Sequence, residues 1–344
     1  MEEGEGGGGG RAETGEEWAY GGHALAVAIV LAPRLLRPAS VGILQKTTPS
    51  IVSSRPLATS AATMGSSVTR TPVYFLSHGG PNIMFDYDHP AHIHLKKIGK
   101  EITGMKPKAV VVFSAHWQAP GRDKIQVNTA IMKPLIYDYY GFPPNYYKVQ
   151  YPNTGSKELS SKILNLLKEK GIKAEGVERG LDHGVFAPFK TMFDDNELGV
   201  PIVQVSLFGS EDADTHYELG EALQPLRDEG VVIIASGMAV HNLRDMHLAF
   251  GSGKEMPYAK PFDKAIKEAV SDAPDAAERK KRLRELLWDK NARNAHPTFE
   301  HLLPMHIAAG AGGEDKATRV FTKTEMSFSW AQYRFGEVLK AEKA

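Results

Sequence analysis

Three apolar runs, each closing on small residues and followed by a histidine, constrain this chain more than any other feature. Val110-Val111-Val112-Phe113 leads through Ser114-Ala115 to His116. Val73-Tyr74-Phe75-Leu76-Ser77 runs directly into His78-Gly79-Gly80. Val231-Val232-Ile233-Ile234-Ala235-Ser236-Gly237 is followed, after three residues, by His241-Asn242. Continuous β-branched runs of this length read as strands buried on both faces, which is the habit of parallel sheets. Open α/β sheets place their ligands outside the carboxyl ends of such strands. The histidines therefore point to one metal or acid–base centre at one edge of a sheet.

The remaining pattern fits that frame. An amphipathic helix is expected from about His92 to Ile102, closed by Gly104, and another over Ser156–Lys170, stopped by Gly171. Ile125–Asn128 alternates and reads as an edge strand, Ile172–Val177 as a short strand and Ile202–Leu207 as a further one. Helix is expected near Phe186–Met192, over Tyr217–Arg227, and through Pro257–Lys290 with a break at Asp272-Ala273-Pro274. Asn294–Pro304 opens another helix, with Pro297 suited to its first turn. Val320–Thr322 and Met326–Ser329 form a closing hairpin in this reading. Strands alternating with helices predict an α/β fold. We expect a single domain over residues 71–340, with a mostly parallel central sheet flanked by helices and its site at the carboxyl ends of the strands.

Residues 1–70 are different in kind. Residues 1–22 are acidic and glycine-rich, and Ala24–Ala32 is apolar but too short to span a bilayer. Arg34–Arg70 is rich in Ser, Thr, Ala and Arg and contains no acid. This composition builds no core and predicts a disordered extension. Two readings stand: a transit peptide, or an upstream extension with Met64 as the working start. The first implies a plastid or mitochondrion and the second the cytoplasm. No membrane association is expected.

Composition narrows the chemistry. Lys+Arg and Asp+Glu both number 41, and no basic run stands out, so nucleic acid is not the expected partner. Cysteine is absent, which removes disulfides, thiolate metal sites and cysteine nucleophiles. Any metal must be held by His, Asp or Glu, and the 13 histidines are the first candidates. His78 and His116, if their strands are adjacent, can bring two neutral imidazoles together, a donor pair suited to zinc or iron(II). Either alone would more often cap a strand. In Asp182-His183-Gly184, Asp182 can orient the His183 ring, or the segment is an ordinary turn. His241 is open to the same two readings. Glu300 and His301 are both candidate ligands, but neighbours on a helix point about 100° apart, so one of them is expected to enter the site. His296 shares that face poorly. His89, His92, His94, His216, His247 and His306 read as surface or core residues. The loop Tyr137–Tyr147 is either a lid with an aromatic wall or a Pro-rich surface loop. No phosphate loop, nucleophile elbow, His-Glu-x-x-His or dinucleotide fingerprint is present.

Five segments in order carry a resemblance. They are Ser77-His78-Gly79-Gly80-Pro81, Ser114-Ala115-His116-Trp117, Asp182-His183-Gly184, Ser236-Gly237-x-x-Val240-His241-Asn242 and Pro297-Thr298-Phe299-Glu300-His301-Leu302-Leu303-Pro304. Over about Thr71–Glu337 the chain resembles the class III extradiol ring-cleavage dioxygenases, and within them the 4,5-DOPA dioxygenase extradiol family of plants and bacteria. The resemblance implies a non-haem metal centre that opens a catechol ring with O₂ to a semialdehyde. Carried over residue by residue, it implies His78, His116 and His301 as metal ligands. It implies His241 as a further ligand or an acid–base, and His183 as a catalytic residue lining the O₂ and substrate pocket. The wider superfamily uses a glutamate as third ligand, whereas His301 stands here with Glu300 beside it. Fe(2+) is the implied catalytic metal, and Zn(2+) suits the same all-imidazole set. The alternative is a zinc hydrolase built on the same histidines.

Overall fold

The computed structural model describes residues 70–194 and 197–338; of the expected extension over residues 1–70, all but Arg70 lies outside them. Its strands are β1 (Val73–Ser77), β2 (Ala109–Gln118), β3 (Lys124–Asn128), β4 (Lys173–Val177), β5 (Ile202–Leu207) and β6 (Val231–Gly237). They continue with β7 (Val240–His241), β8 (Ala317–Phe321), β9 (Thr324–Glu325), β10 (Phe328–Ser329) and β11 (Gln332–Phe335). The helices are α1 (Pro90–Gly104), α2 (Lys157–Glu169), α3 (His183–Phe193), α4 (Ala213–Ala222) and α5 (Pro225–Asp228). After them come α6 (Met246–Ser252), α7 (Ala259–Val270), α8 (Ala276–Leu286), α9 (Ala292–Ala295) and α10 (Leu303–Gly312). Among the described residues no helix is long and apolar enough to cross a membrane.

Eight strands form one sheet in the order β4-β3-β5-β2-β6-β1-β11-β8. Its centre, β5-β2-β6-β1, is parallel throughout. The expected α/β architecture, a mostly parallel sheet between helices, is therefore present. Val110, Val111, Val112 and Phe113 are completely buried, and alternate residues face opposite layers. Val111 and Phe113 join Val203, Val205, Ile233 and Ala235 against α2, α4, α7, α8 and α10. Val110 and Val112 join Tyr74, Leu76, Val232 and Ile234 against α1 and α3. Both faces are covered, which is why these strands carry no polar alternation.

Several expectations change in detail. β1 and β2 are parallel but not adjacent, because β6 pairs with both and lies between them. β3 is not an edge strand; β4 pairs outside it. The expected closing hairpin is divided. β8 joins the large sheet by pairing antiparallel with β11, while β10 pairs with β9 on one side and β7 on the other in a small three-stranded sheet. Burial decides this, since Tyr333 and Phe335 of β11 are fully buried against β1. The final helix starts at Leu303, with Pro304 in its first turn; Pro297 precedes a separate 3-10 turn, Phe299–His301.

Candidate metal centre

Each candidate histidine is delivered by the carboxyl edge of the parallel sheet or by a segment packed on it. His78 is the first residue after β1. His116 belongs to the irregular end of β2, where the register against β5 shifts between Phe113 and Gln118. A shift of this kind re-aims side chains at a strand end. His183 is the first helical residue of α3, not a loop residue as the sequence suggests. His241 closes β7, opposite Phe328. His301 ends the 3-10 turn before α10.

Small residues make the convergence possible. Two strand spacings, about 10 Å, separate β1 from β2. Yet the His78 and His116 ring centroids are 5.1 Å apart. The intervening β6 ends in Ala235-Ser236-Gly237, which leaves room above it for both rings. A Cβ on Gly237 would stand 2.2 Å from the His301 carbonyl oxygen, the acceptor for the Met238 N–H at 2.9 Å. A Cβ on Gly184 would meet Ser114 Oγ at 2.4 Å and His116 Cδ2 at 2.8 Å. Glycine at these two places lets α3 and the 3-10 turn close onto the strand ends.

Two groups of donor atoms result, His78–His116–His183 and His241–Glu300–His301, each with its atoms within 4.8 Å of one another. They are joined through His116 Nε2 and His301 Nε2, 3.3 Å apart. The rings of His116 and His183 are 4.0 Å apart, and those of His78 and His301 5.4 Å. His241 stacks on His301 at 3.7 Å with 14° between the planes.

Hydrogen bonds on the far side of each ring set what it offers. His78 Nδ1 donates to the Gly79 carbonyl at 2.7 Å and His301 Nδ1 to Glu300 Oε1 at 3.0 Å, while His116 Nδ1 lies 3.0 Å from Asp138 Oδ2. His183 Nδ1 donates to Asp138 Oδ1 at 2.9 Å. Carbonyl and carboxylate oxygens only accept, so the ring proton sits on Nδ1 and Nε2 keeps its lone pair. His78 Nε2 is buried without a partner. The Nε2 atoms of His116 and His301 face each other at 3.3 Å with no proton to share. Two nitrogens bound at ~2.0–2.1 Å to one tetrahedral ion stand about 3.3 Å apart. An orphaned buried lone pair beside two opposed ones is an arrangement that could hold a cation, and imidazole donors suit zinc or iron(II). Burial, followed by the neighbouring rings, pushes His78 and His301 well below the usual histidine range. Burial and then His301 do the same to His241, and burial and then His116 lower His183. Burial thus favours the neutral ring, the form in which an imidazole can donate to a metal.

Two carboxylates change roles relative to expectation. Asp182 does not orient His183. Its Oδ1 accepts from Ser114 Oγ at 2.7 Å, and its Oδ2 from Arg179 at 2.7 Å and Gln204 at 2.6 Å. Asp138 orients His183 instead, and sequence reading passed over it inside the aromatic loop. Burial raises its carboxyl, but the two imidazoles that donate to it outweigh this and hold it far below the usual carboxylate range. The one available signal was an acid flanked by Tyr137 and Tyr139 in an otherwise uncharged stretch. Glu300 does not point away from His301, since it accepts from that ring. Elsewhere His92, His216, His296 and His306 are core residues bonded to backbone carbonyls.

Comparison with known proteins is consistent with this arrangement. Residues 71–336 match the family model described as the catalytic LigB subunit of aromatic ring-opening dioxygenase. The chain is 35% identical over 276 residues to the 4,5-DOPA dioxygenase extradiol of Beta vulgaris, covering 79% of this chain and 99% of that one. It is 33% identical over 246 residues to the 4,5-DOPA dioxygenase extradiol of Escherichia coli (strain K12), covering 71% and 86%. A crystal structure of an uncharacterized protein from Escherichia coli K12 superposes with a TM-score of 0.64 at 30% identity, over 78% of this chain and all of that one.

Proposed function

This chain belongs to the family of the catalytic LigB subunit of aromatic ring-opening dioxygenases and is an extradiol dioxygenase, and on that premise we propose that it opens a DOPA-like catechol at the histidine centre. The overall reaction adds both atoms of O₂ across one ring carbon–carbon bond beside the two hydroxyls and yields a semialdehyde. It consumes no further oxidant or reductant. The supporting observation is the bare Nε2 atoms of three neighbouring rings, those of His116 and His301 3.3 Å apart and that of His78 buried without a partner. These three side chains would hold a divalent metal. Iron(II) held there would supply the redox chemistry that ring opening with O₂ needs, which zinc cannot.

The protein's own groups would then handle protons and orientation. His241 stacks on His301 at 3.7 Å with 14° between the planes, so the in-plane lone pairs of the two rings lie in nearly parallel planes. That favours an acid–base role for His241 over a ligand role. It would take a proton from a catechol hydroxyl and return it as the ring opens. The Glu300 carboxylate, in the same donor group, favours the imidazolium so formed. His183 would accept a hydrogen bond from a substrate hydroxyl at its bare Nε2, with its ring held by Asp138. The zinc-hydrolase alternative uses the same donors, and family membership decides against it.

The test is oxygen uptake by the full chain, loaded anaerobically with iron(II) or zinc and offered DOPA and other catechols. Uptake with iron alone, together with a yellow ring-opened product, is the expected result. No uptake with any catechol would overturn the proposal.

A further inference from the structure

Asp138 touches two histidines of the centre at once. Oδ2 lies 3.0 Å from His116 Nδ1, an ion-pair contact in which only the ring nitrogen can carry the proton. Oδ1 accepts from His183 Nδ1 at 2.9 Å and from the His183 backbone N–H at 2.9 Å. The loop that carries it is pinned on both sides. Ile136 N–H donates to the Leu181 carbonyl at 2.8 Å, Tyr137 Oη to the Val149 carbonyl at 2.6 Å, and Tyr139 Oη to the Tyr146 carbonyl at 2.7 Å. The Tyr139 ring meets His183 edge-on at 5.4 Å. The Tyr137 and Tyr139 hydroxyls are spent on backbone carbonyls of this segment. The loop therefore serves as a rigid mount for one carboxylate.

We infer that Asp138 is a positioning residue that fixes the tautomer of His116 and His183 together, so that both present a bare Nε2 to the same space. A carboxylate is the one side chain of this size that accepts on both sides. An amide cannot do so. In Asp138→Asn, the two donors on the His183 side hold the amide oxygen there and turn the NH₂ toward His116 Nδ1. His116 must then carry its proton on Nε2, and its lone pair is lost to the centre. Asp138→Ala removes the tether but forces neither tautomer. The chemically milder exchange should thus be the more harmful one. A merely structural role predicts the reverse, because Asn keeps the shape and most of the contacts. The inference rests on the reading of the histidines as a metal centre only where affinity is measured.

Two measurements on the full chain test it. The first is long-range ¹H–¹⁵N correlation on the metal-free protein with ¹⁵N-labelled histidine, which reports the tautomer of each ring. The wild type should show His116 and His183 protonated at Nδ1, and Asp138→Asn should convert one ring to Nε2–H. The second is calorimetric titration with zinc. Asp138→Asn should weaken binding by at least about tenfold, in the range for loss of a carboxylate behind a ligand, and by more than Asp138→Ala. A wild-type His116 or His183 protonated at Nε2 would overturn the inference even if neither variant folds. So would an Asp138→Asn affinity equal to wild type, or a larger loss in Asp138→Ala. If the wild type binds no zinc or iron(II) while its tautomers are as stated, the metal-centre reading fails and the tautomer assignment stands.

Discussion

An imidazole tethered through Nδ1 has one lone pair left; those of His116 and His301 face each other across 3.3 Å, and that of His78 is buried without a partner. His241 differs from them. It is stacked on His301, it is neutral at rest, and it sits close to the Glu300 carboxylate. Replacing it separates its two conceivable roles. His241→Gln should lower kcat by about 10²–10⁴-fold, the usual worth of a positioned acid–base group, with iron content unchanged by metal analysis. Loss of iron in that variant would make it a ligand instead. These histidines were legible in the sequence because each stands at a fixed, short offset from an apolar run or beside a Gly or Pro. Asp138 was not, because its neighbours in sequence are tyrosines and its partners are 22 and 45 residues away. Asp182, adjacent to His183, attracted the orienting role on proximity alone. Its carboxylate is taken instead by Ser114, Arg179 and Gln204.

The elements divide into those that build the site and those that bury the sheet. α3 starts at His183, and Gly184 lets it press against His116. Gly184→Ala should displace Ser114 or His116 and reduce zinc affinity by calorimetry, more than it reduces the urea midpoint. α4 and α10 cross on the far face through a different pair. A Cβ on Gly310 would stand 2.0 Å from the Tyr217 carbonyl oxygen, and one on Gly220 2.1 Å from that of Ile307. Gly310→Ala should therefore cost about 1–3 kcal/mol from overpacking, read as a lower urea midpoint, with iron-dependent kcat retained in the folded fraction. Equal loss of stability and kcat would contradict this separation. Helix limits were readable where a cap marks them, as Ser156 does for α2 by accepting from Leu159 N–H at 3.1 Å. They were misread around Pro297, where proline precedes a 3-10 turn and the helix waits for Pro304.

At the scale of the molecule, buried histidines tie stability to pH. Burial pushes His216 and His306, on the packed pair α4 and α10, down to about 4 from 6.5. A group with a depressed folded pKa leaves the unfolded chain binding more protons. Its stabilising effect is complete above the unfolded value and is lost as pH falls from about 6.5 toward about 4. The metal-free protein should show a falling Tm across that window, and His216→Gln should flatten the slope; an unchanged slope would remove His216 from the account. A metal that binds only the folded state should raise Tm, by an amount equivalent to about 4 kcal/mol at a thousandfold excess over Kd. His78→Ala should abolish that shift. The sequence by itself determined the parallel strands, the helices between them and the histidines at their ends, because hydrophobic period and local chemistry are short-range properties. Only the tertiary structure decided that β6 stands between β1 and β2, that β8 pairs with β11, and that Asp138 holds two rings. Those facts depend on which distant surfaces bury one another, and no local pattern encodes that choice.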